Sequence, residues 1–268
     1  MSRDASTSSP REPSPSPHDP APVSRLAADR PLAWLSRGWR DFRAAPLLGM
    51  AHGAVFLAGG VAIALIGWGR FDLLAGAFSG FLLVAPLLLA GLYAISRDRD
   101  AGRAADVATV VAAWRVSNAA LVRLGLLLAL LGTLWVGLSV LIVTGWSQAR
   151  GGVSGFIVDF VLAADWRPFA LWLLAGGVFA ALVFALTAVS VPMLVDREAS
   201  LRCALLTSVR AVGSSPEAML AWAAIVMVAA IVSIVLVLPL LVLVPVLGHA
   251  TWHAYREAVQ AEGLPQRR

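Results

Sequence analysis

Four histidines have the broadest chemical reach of any residues in this chain, and three of them stand in apolar surroundings. His249 and His253 lie four residues apart in GHATWHAYR, residues 248–256, at the end of a long hydrocarbon run. On a helix, positions i and i+4 share a face, so this spacing suits a pair of imidazole ligands. His52 stands about nine residues inside the first apolar stretch, and His249 stands seven residues before Arg256. At the standard helical rise both lie roughly 10–14 Å from a polar boundary. If the first and last apolar helices are neighbours, His52 meets His249, and two neutral imidazoles are a ligand set for haem or a transition metal. The competing reading is interfacial: Trp252, Tyr255 and Arg256 form a membrane-boundary belt in which histidine finds hydrogen-bond partners. The interfacial reading is preferred. No catalytic residue, cofactor site or metal site is therefore assigned, and His52, His249 and His253 are kept as the candidates for the alternative, a haem- or metal-binding redox membrane protein. His18 belongs to a polar N-terminal stretch and is set aside.

Other chemistry-bearing patterns are missing. The sequence holds no G-x-S-x-G elbow, P-loop or H-E-x-x-H, and GGVSG at 151–155 has the wrong spacing for a nucleophile elbow. Asp98 and Asp100 with Arg97 and Arg99 read as a charged helix end, as do Asp196, Arg197 and Glu198. Cys203, the one cysteine, excludes an intramolecular disulfide and reads as a small packing residue. No enzyme activity is expected.

The elements that position these residues follow from composition. Of 268 residues, 59% are hydrophobic and 14% are charged, against about 25% charged in soluble domains. Mean hydropathy is +0.79. Several stretches exceed the roughly 18 apolar residues that mark a membrane-spanning helix. The chain is an all-α, polytopic membrane bundle whose partner is the lipid bilayer. All 21 basic residues are Arg, and the net charge is +5. These arginines flank apolar segments instead of forming a basic domain, so they read as orientation signals and not as a nucleic-acid surface.

Residues 1–30, rich in Ser and Pro, read as a disordered tail with no cleavable signal. RPLAWLSRGWRDFR follows, with Leu32, Leu35, Trp39 and Phe42 on one helical stripe. It reads as an amphipathic helix on the membrane surface. Two more such helices are expected, one with Val107, Val110, Val111 and Trp114, the other with Leu201, Leu205, Val209 and Val212. Between and after them the expected spans cover about 45–68, 73–95, 120–144, 169–192, 218–237 and 238–255. The last two come from a single charge-free run broken near Pro239. Gly76 and Gly80 form a G-x-x-x-G pair that permits close helix contact. FIVDFVL, with Asp159 at its centre, reads as an interfacial or re-entrant piece. Residues 259–268 read as a short C-terminal tail.

The pattern repeats. WRDFRAAPL, WRVSNAALV and VRAVGSSPEAM each end an amphipathic helix and enter a span. Pro86 and Pro245 each precede a charged exit by eleven residues, at Arg97 and Arg256, whereas Pro192 in the middle copy precedes Arg197 by five. The architecture expected is three hairpins, each preceded by an interfacial helix. With six spans, sixteen of the arginines from Arg25 onward fall on one side and only Arg70, Arg150 and Arg167 on the other. That bias places both termini in the cytoplasm of a bacterial inner membrane.

Together PLAWLSRGWRDFRAAP (31–46), FLLVAPLLLAGLYAISR (81–97), SVPMLVDR (190–197), TSVRAV (207–212) and PLLVLVPVLGHATWHAYR (239–256) resemble a domain-of-unknown-function family of predicted bacterial integral membrane proteins. The resemblance runs from about residue 31 to 258. It implies a multispan inner-membrane protein and supplies no catalytic residues. Some members of such families carry a cytochrome c oxidase subunit label. A haem–copper oxidase core takes six histidine ligands, and this chain has four histidines in all. The spans contain no Asp, Glu, Lys or Arg at bilayer depth, which argues against an ion pump or proton relay. The function expected is a non-enzymatic scaffold or assembly factor, or a carrier of an apolar or amphipathic molecule.

Overall fold

In the computed structural model the described residues are 19–67, 71–115, 118–146 and 156–267. They form helices α1 (Arg30–Ala44), α2 (Pro46–Gly67), α3 (Phe71–Asp100), α4 (Val107–Arg115) and α5 (Ala119–Trp146). A wide π-helical turn at Phe156–Val161 precedes α6 (Arg167–Thr187), α7 (Ser190–Asp196), α8 (Leu201–Ser214), α9 (Pro216–Leu236) and α10 (Leu240–Ala258). Local chemistry sets several of these boundaries. Proline occupies the first turn of α1, α6 and α9, where its missing N–H costs nothing. Ser200 caps α8 by accepting from the Cys203 amide. Asn118 caps α5 through the Leu121 amide at 3.0 Å and donates to the Leu194 carbonyl at 2.7 Å. The charge-free run breaks at Val237, whose φ of 60° is a strained value for a β-branched residue, and Pro239 caps α10.

Among the described residues, four segments are long and apolar enough to cross a membrane: Pro46–Leu65, Ala119–Trp146, Arg167–Asp196 and Pro216–Ser233. Their side chains point largely outward. On α5, Leu126, Leu130, Leu134, Leu138 and Leu141 form an exposed apolar stripe. Such a surface is unfavourable in water and at ease in hydrocarbon.

α10 has a different role. From Pro245 to Tyr255 nearly all of its residues are buried, because α1, α2 and α3 pack around it. Small residues make those crossings close. A Cβ at Gly38 of α1 would lie 2.5 Å from the Val246 carbonyl, and one at Gly53 of α2 would lie 2.6 Å from the Leu241 backbone. For Gly76 and Gly80 only the helical backbone of α3 is described.

The face that α1 packs on the bundle overlaps the expected membrane-surface stripe at Phe42. Leu32 and Trp39 are exposed, while Pro31, Trp34, Gly38, Asp41 and Phe42 face inward. α1 therefore leaves Leu32 and Trp39 on its outer side and sets Trp34, Gly38, Asp41 and Phe42 against the bundle. The flanking segments are also held. Within the expected N-terminal tail, residues 19–29 pack on the bundle: Ala21 N donates to Thr207 Oγ1 at 2.9 Å and Leu26 N to Ser215 Oγ at 2.9 Å. Ser24 N donates to the Ala258 carbonyl at 2.9 Å. Residues 1–18 lie outside the described residues, as does His18. The C-terminal residues up to 267 cross the same end of the bundle, with Glu198 N donating to Pro265 O and Arg267 N to Asp196 O.

Candidate functional site

The histidines belong to a buried polar cluster built by three helices. α1 contributes Asp41, α3 contributes Ser96 and Arg99, and α10 contributes His249 and His253, one turn apart. Ser96 Oγ donates to Asp41 Oδ2 at 2.7 Å, and Arg99 Nε donates to Asp41 Oδ1 at 3.0 Å. His253 Nε2 lies 2.9 Å from Asp41 Oδ2. A carboxylate only accepts, so that histidine nitrogen carries the hydrogen. Asp41 thus receives three donors. Burial raises its pKa, but the hydrogen bonds from His253, Ser96 and Arg99 outweigh burial and hold it down at about 2.

The same bookkeeping assigns the His249 tautomer. Ser96 has one hydroxyl hydrogen and gives it to Asp41, so the 2.8 Å contact to His249 Nδ1 makes that nitrogen the donor. Nε2 of the neutral ring is then a bare acceptor. His52 is alike: its Nδ1 donates to the Leu48 carbonyl at 2.8 Å, again leaving Nε2 bare. Among the described residues, these two Nε2 atoms are the buried side-chain nitrogens and oxygens without a hydrogen-bond partner. The first and last apolar helices, α2 and α10, are neighbours, which meets the condition set for His52 to approach His249, and His52, His253, Arg99 and Asp41 all lie within electrostatic reach of His249.

The cluster has the residue types of a hydrolytic triad without its wiring. In a triad the serine hydrogen goes to the imidazole. Here it goes to the carboxylate, and Ser96 and His249 have no exposed surface. His52 is closely packed. A Cβ added at Gly91 of α3 would collide with His52 Nε2, so that nitrogen abuts the α3 backbone, and the Trp114 ring lies 5.5 Å from the His52 ring. Among the described residues, no group of three His, Cys, Asp or Glu side chains is arranged to hold a metal ion.

Three charged exits read from sequence as solvated helix ends are tied into this end of the bundle. Trp252 Nε1 donates to Asp100 Oδ2 at 2.7 Å, which joins α10 to the end of α3. The Tyr255 hydroxyl donates to Asp196 Oδ2 at 2.8 Å, which joins α10 to the end of α7. Asp196 is 1% exposed and also pairs with Arg197 at 2.8 Å. Glu257 accepts from Arg30 Nε at 2.5 Å and from Trp34 Nε1 at 3.1 Å, which joins α10 to the start of α1. The ends of α3, α7 and α10 and the start of α1 therefore share one polar cap. Sequence reasoning missed Asp41 and Ser96, and it read Asp196 as a charged helix end and Tyr255 as part of a membrane-boundary belt. The one available signal was the i, i+4, i+7, i+8 spacing of Trp34, Gly38, Asp41 and Phe42, which places the acid on the packed face of α1.

The described segment 156–161 carries Asp159 with Phe160 buried against Phe169, ring centroids 6.2 Å apart. Residues 147–155 lie outside the described residues. No curated protein and no solved structure matches the chain. The landmarks of the sequence resemble a domain-of-unknown-function family of membrane proteins, and residues 73–196, from α3 through α7, match the model of such a family, DUF2189, described as a predicted integral membrane protein.

Proposed function

We propose that this chain is a non-enzymatic protein of a bacterial cytoplasmic membrane, acting as a scaffold or assembly factor or as a carrier of an apolar or amphipathic molecule. One observation carries the reading: Ser96, Asp41, His249 and His253, the side chains best suited to chemistry, are buried and bonded to one another. Buried side chains bonded to one another in this way fix helix positions and are closed to a substrate. A fluorophosphonate serine probe on the purified protein is expected to leave Ser96 unlabelled. Labelling that disappears in Ser96→Ala would overturn the reading.

The shared polar cap supports six spans arranged as three hairpins. Each amphipathic helix (α1, α4, α8) is followed by an outward helix and a return, and the returns α3, α7 and α10 end together. That order also supports the internal repeat. With the arginine-rich cap on the cytoplasmic side, both termini are cytoplasmic. A reporter fused after Arg268 should therefore be active only in its cytoplasmic form, and one inserted at Gly152 only in its periplasmic form. The reverse result at either site would refute this topology.

The two bare Nε2 atoms favour a second reading, ligation of haem or a metal by His52 and His249. Gly91 weighs against it by filling the space before His52. Purified protein is expected to show no Soret band and no stoichiometric metal. A band lost in His249→Ala would reverse the order of the two readings.

A further inference from the structure

A second feature lies apart from the buried cluster. α3, α4 and the start of α5 enclose an open cleft of about 210 Å³. Its walls are apolar and small, with Leu87, Leu88 and Ala113 among them, and its charged lining residues are Arg97 and Arg267. Among the described residues, no carboxylate lines it. The nearby acids are engaged elsewhere: Asp98 with Arg103 and Thr109, Asp100 with Trp252, and Asp196 with Arg197 and Tyr255. The Arg267 guanidinium donates to the backbone carbonyls of Leu194 and Arg197, and among the described residues no carboxylate pairs with it. Among the described residues, no carboxylate pairs with Arg97 either.

The cleft is graded along α3. Arg97 sits at the polar cap, and Leu87 sits ten residues earlier on the same helix, roughly 15 Å deeper at the standard rise. Trp114, 47% exposed, stands beside it, an aromatic placed at headgroup level. Positive charge at the mouth, an aromatic at the rim and hydrocarbon below complement an anionic amphiphile.

We infer that this cleft binds one anionic phospholipid, its phosphate between Arg97 and Arg267 and the upper part of an acyl chain along Leu87 and Leu88. The inference deepens the amphiphile-binding arm of the proposed function and rests on it. Its specificity comes from the two arginines, since the apolar wall accepts any acyl chain.

The test uses the full chain in mild detergent, mixed with equimolar phosphatidylglycerol and phosphatidylcholine and weighed by native mass spectrometry. Wild type should retain one phosphatidylglycerol with a preference of about thirtyfold, the scale expected of two cationic side chains near anionic lipid. The Arg97→Gln/Arg267→Gln double variant should retain both lipids equally. Ala113→Phe, which fills the cleft from α4, should retain neither. Wild-type melting behaviour in each variant would show that the fold is intact. If a variant fails to fold, the wild-type preference alone still decides. Equal retention of the two lipids by wild type would overturn the inference and leave amphiphile binding standing. Retention of neither lipid would overturn both.

Discussion

Ser96 donates its hydroxyl hydrogen to Asp41 across 2.7 Å, with both side chains buried. This one bond separates a structural cluster from a catalytic one. It commits the serine hydrogen to a carboxylate, makes His249 a donor through Nδ1, and joins α1 to α3 beside α10. The consequences can be measured on stability.

Asp41→Asn keeps the shape and removes the charge. Breaking a buried ion pair costs about 3–5 kcal/mol, and partial exposure of Arg99 lowers that here to roughly 2–3 kcal/mol. Thermal unfolding in detergent should shift down by roughly 5–10 °C. A change under 1 °C would remove Asp41 from the list of stabilising groups.

The same residue sets an acid limit. The folded Asp41 pKa is about 2, below its ordinary value of 3.8. A depressed carboxylate adds stability above its unfolded pKa and loses it as pH falls through the folded one. The Asp41 contribution, about 2 kcal/mol by linkage, should therefore be intact at pH 5 and vanish between about pH 4 and pH 2. Asp41→Asn should flatten that part of the pH profile. An identical profile in the variant would contradict the assignment.

Glycines offer a paired comparison. Gly38→Ala puts a methyl 2.5 Å from the Val246 carbonyl and 2.7 Å from the Ala250 amide, both backbone atoms that cannot step aside. Overpacking of this kind costs roughly 1–3 kcal/mol. Gly213 of α8 has nothing within 4 Å of its added Cβ, and alanine there should stabilise by about 0.5–1 kcal/mol through helix propensity. Equal effects at the two sites would contradict the packing of α1 on α10.

Cys203 reports on the N-terminal segment. It is fully buried, its thiol donates to the Asp19 carbonyl at 2.9 Å, and burial pushes its pKa up. Maleimide should label it only on unfolding or when residues 19–29 detach. Deleting residues 1–25 should raise the labelling rate at least tenfold, by exposing the thiol. Rapid labelling of the intact chain would show that this segment does not cover it.

Helices and their surroundings were legible in the sequence because hydrocarbon content and charge-free length are local quantities. The amphipathic helices, the break near Pro239 and the membrane class follow from them. The inward face of α1 was not legible. The stripe of Leu32 and Trp39 reads as the membrane-facing side, and both are exposed, but which helix meets Trp34, Gly38 and Asp41 on the other side is a long-range matter. Asp196 and Asp100 read as solvated ends because sequence shows only that a charge follows an apolar run.

The sequence by itself determined that this protein is a helical membrane protein, which stretches are helical, and that its histidines lie near one boundary. Only the tertiary structure decided what those histidines do for the fold. His249 acquires its tautomer from Ser96, Ser96 gives its hydrogen to Asp41, and Asp41 is 55 residues from Ser96 along the chain. A hydrogen bond depends on distances of a few tenths of an ångström between distant segments, and those distances exist only once α1, α3 and α10 have packed.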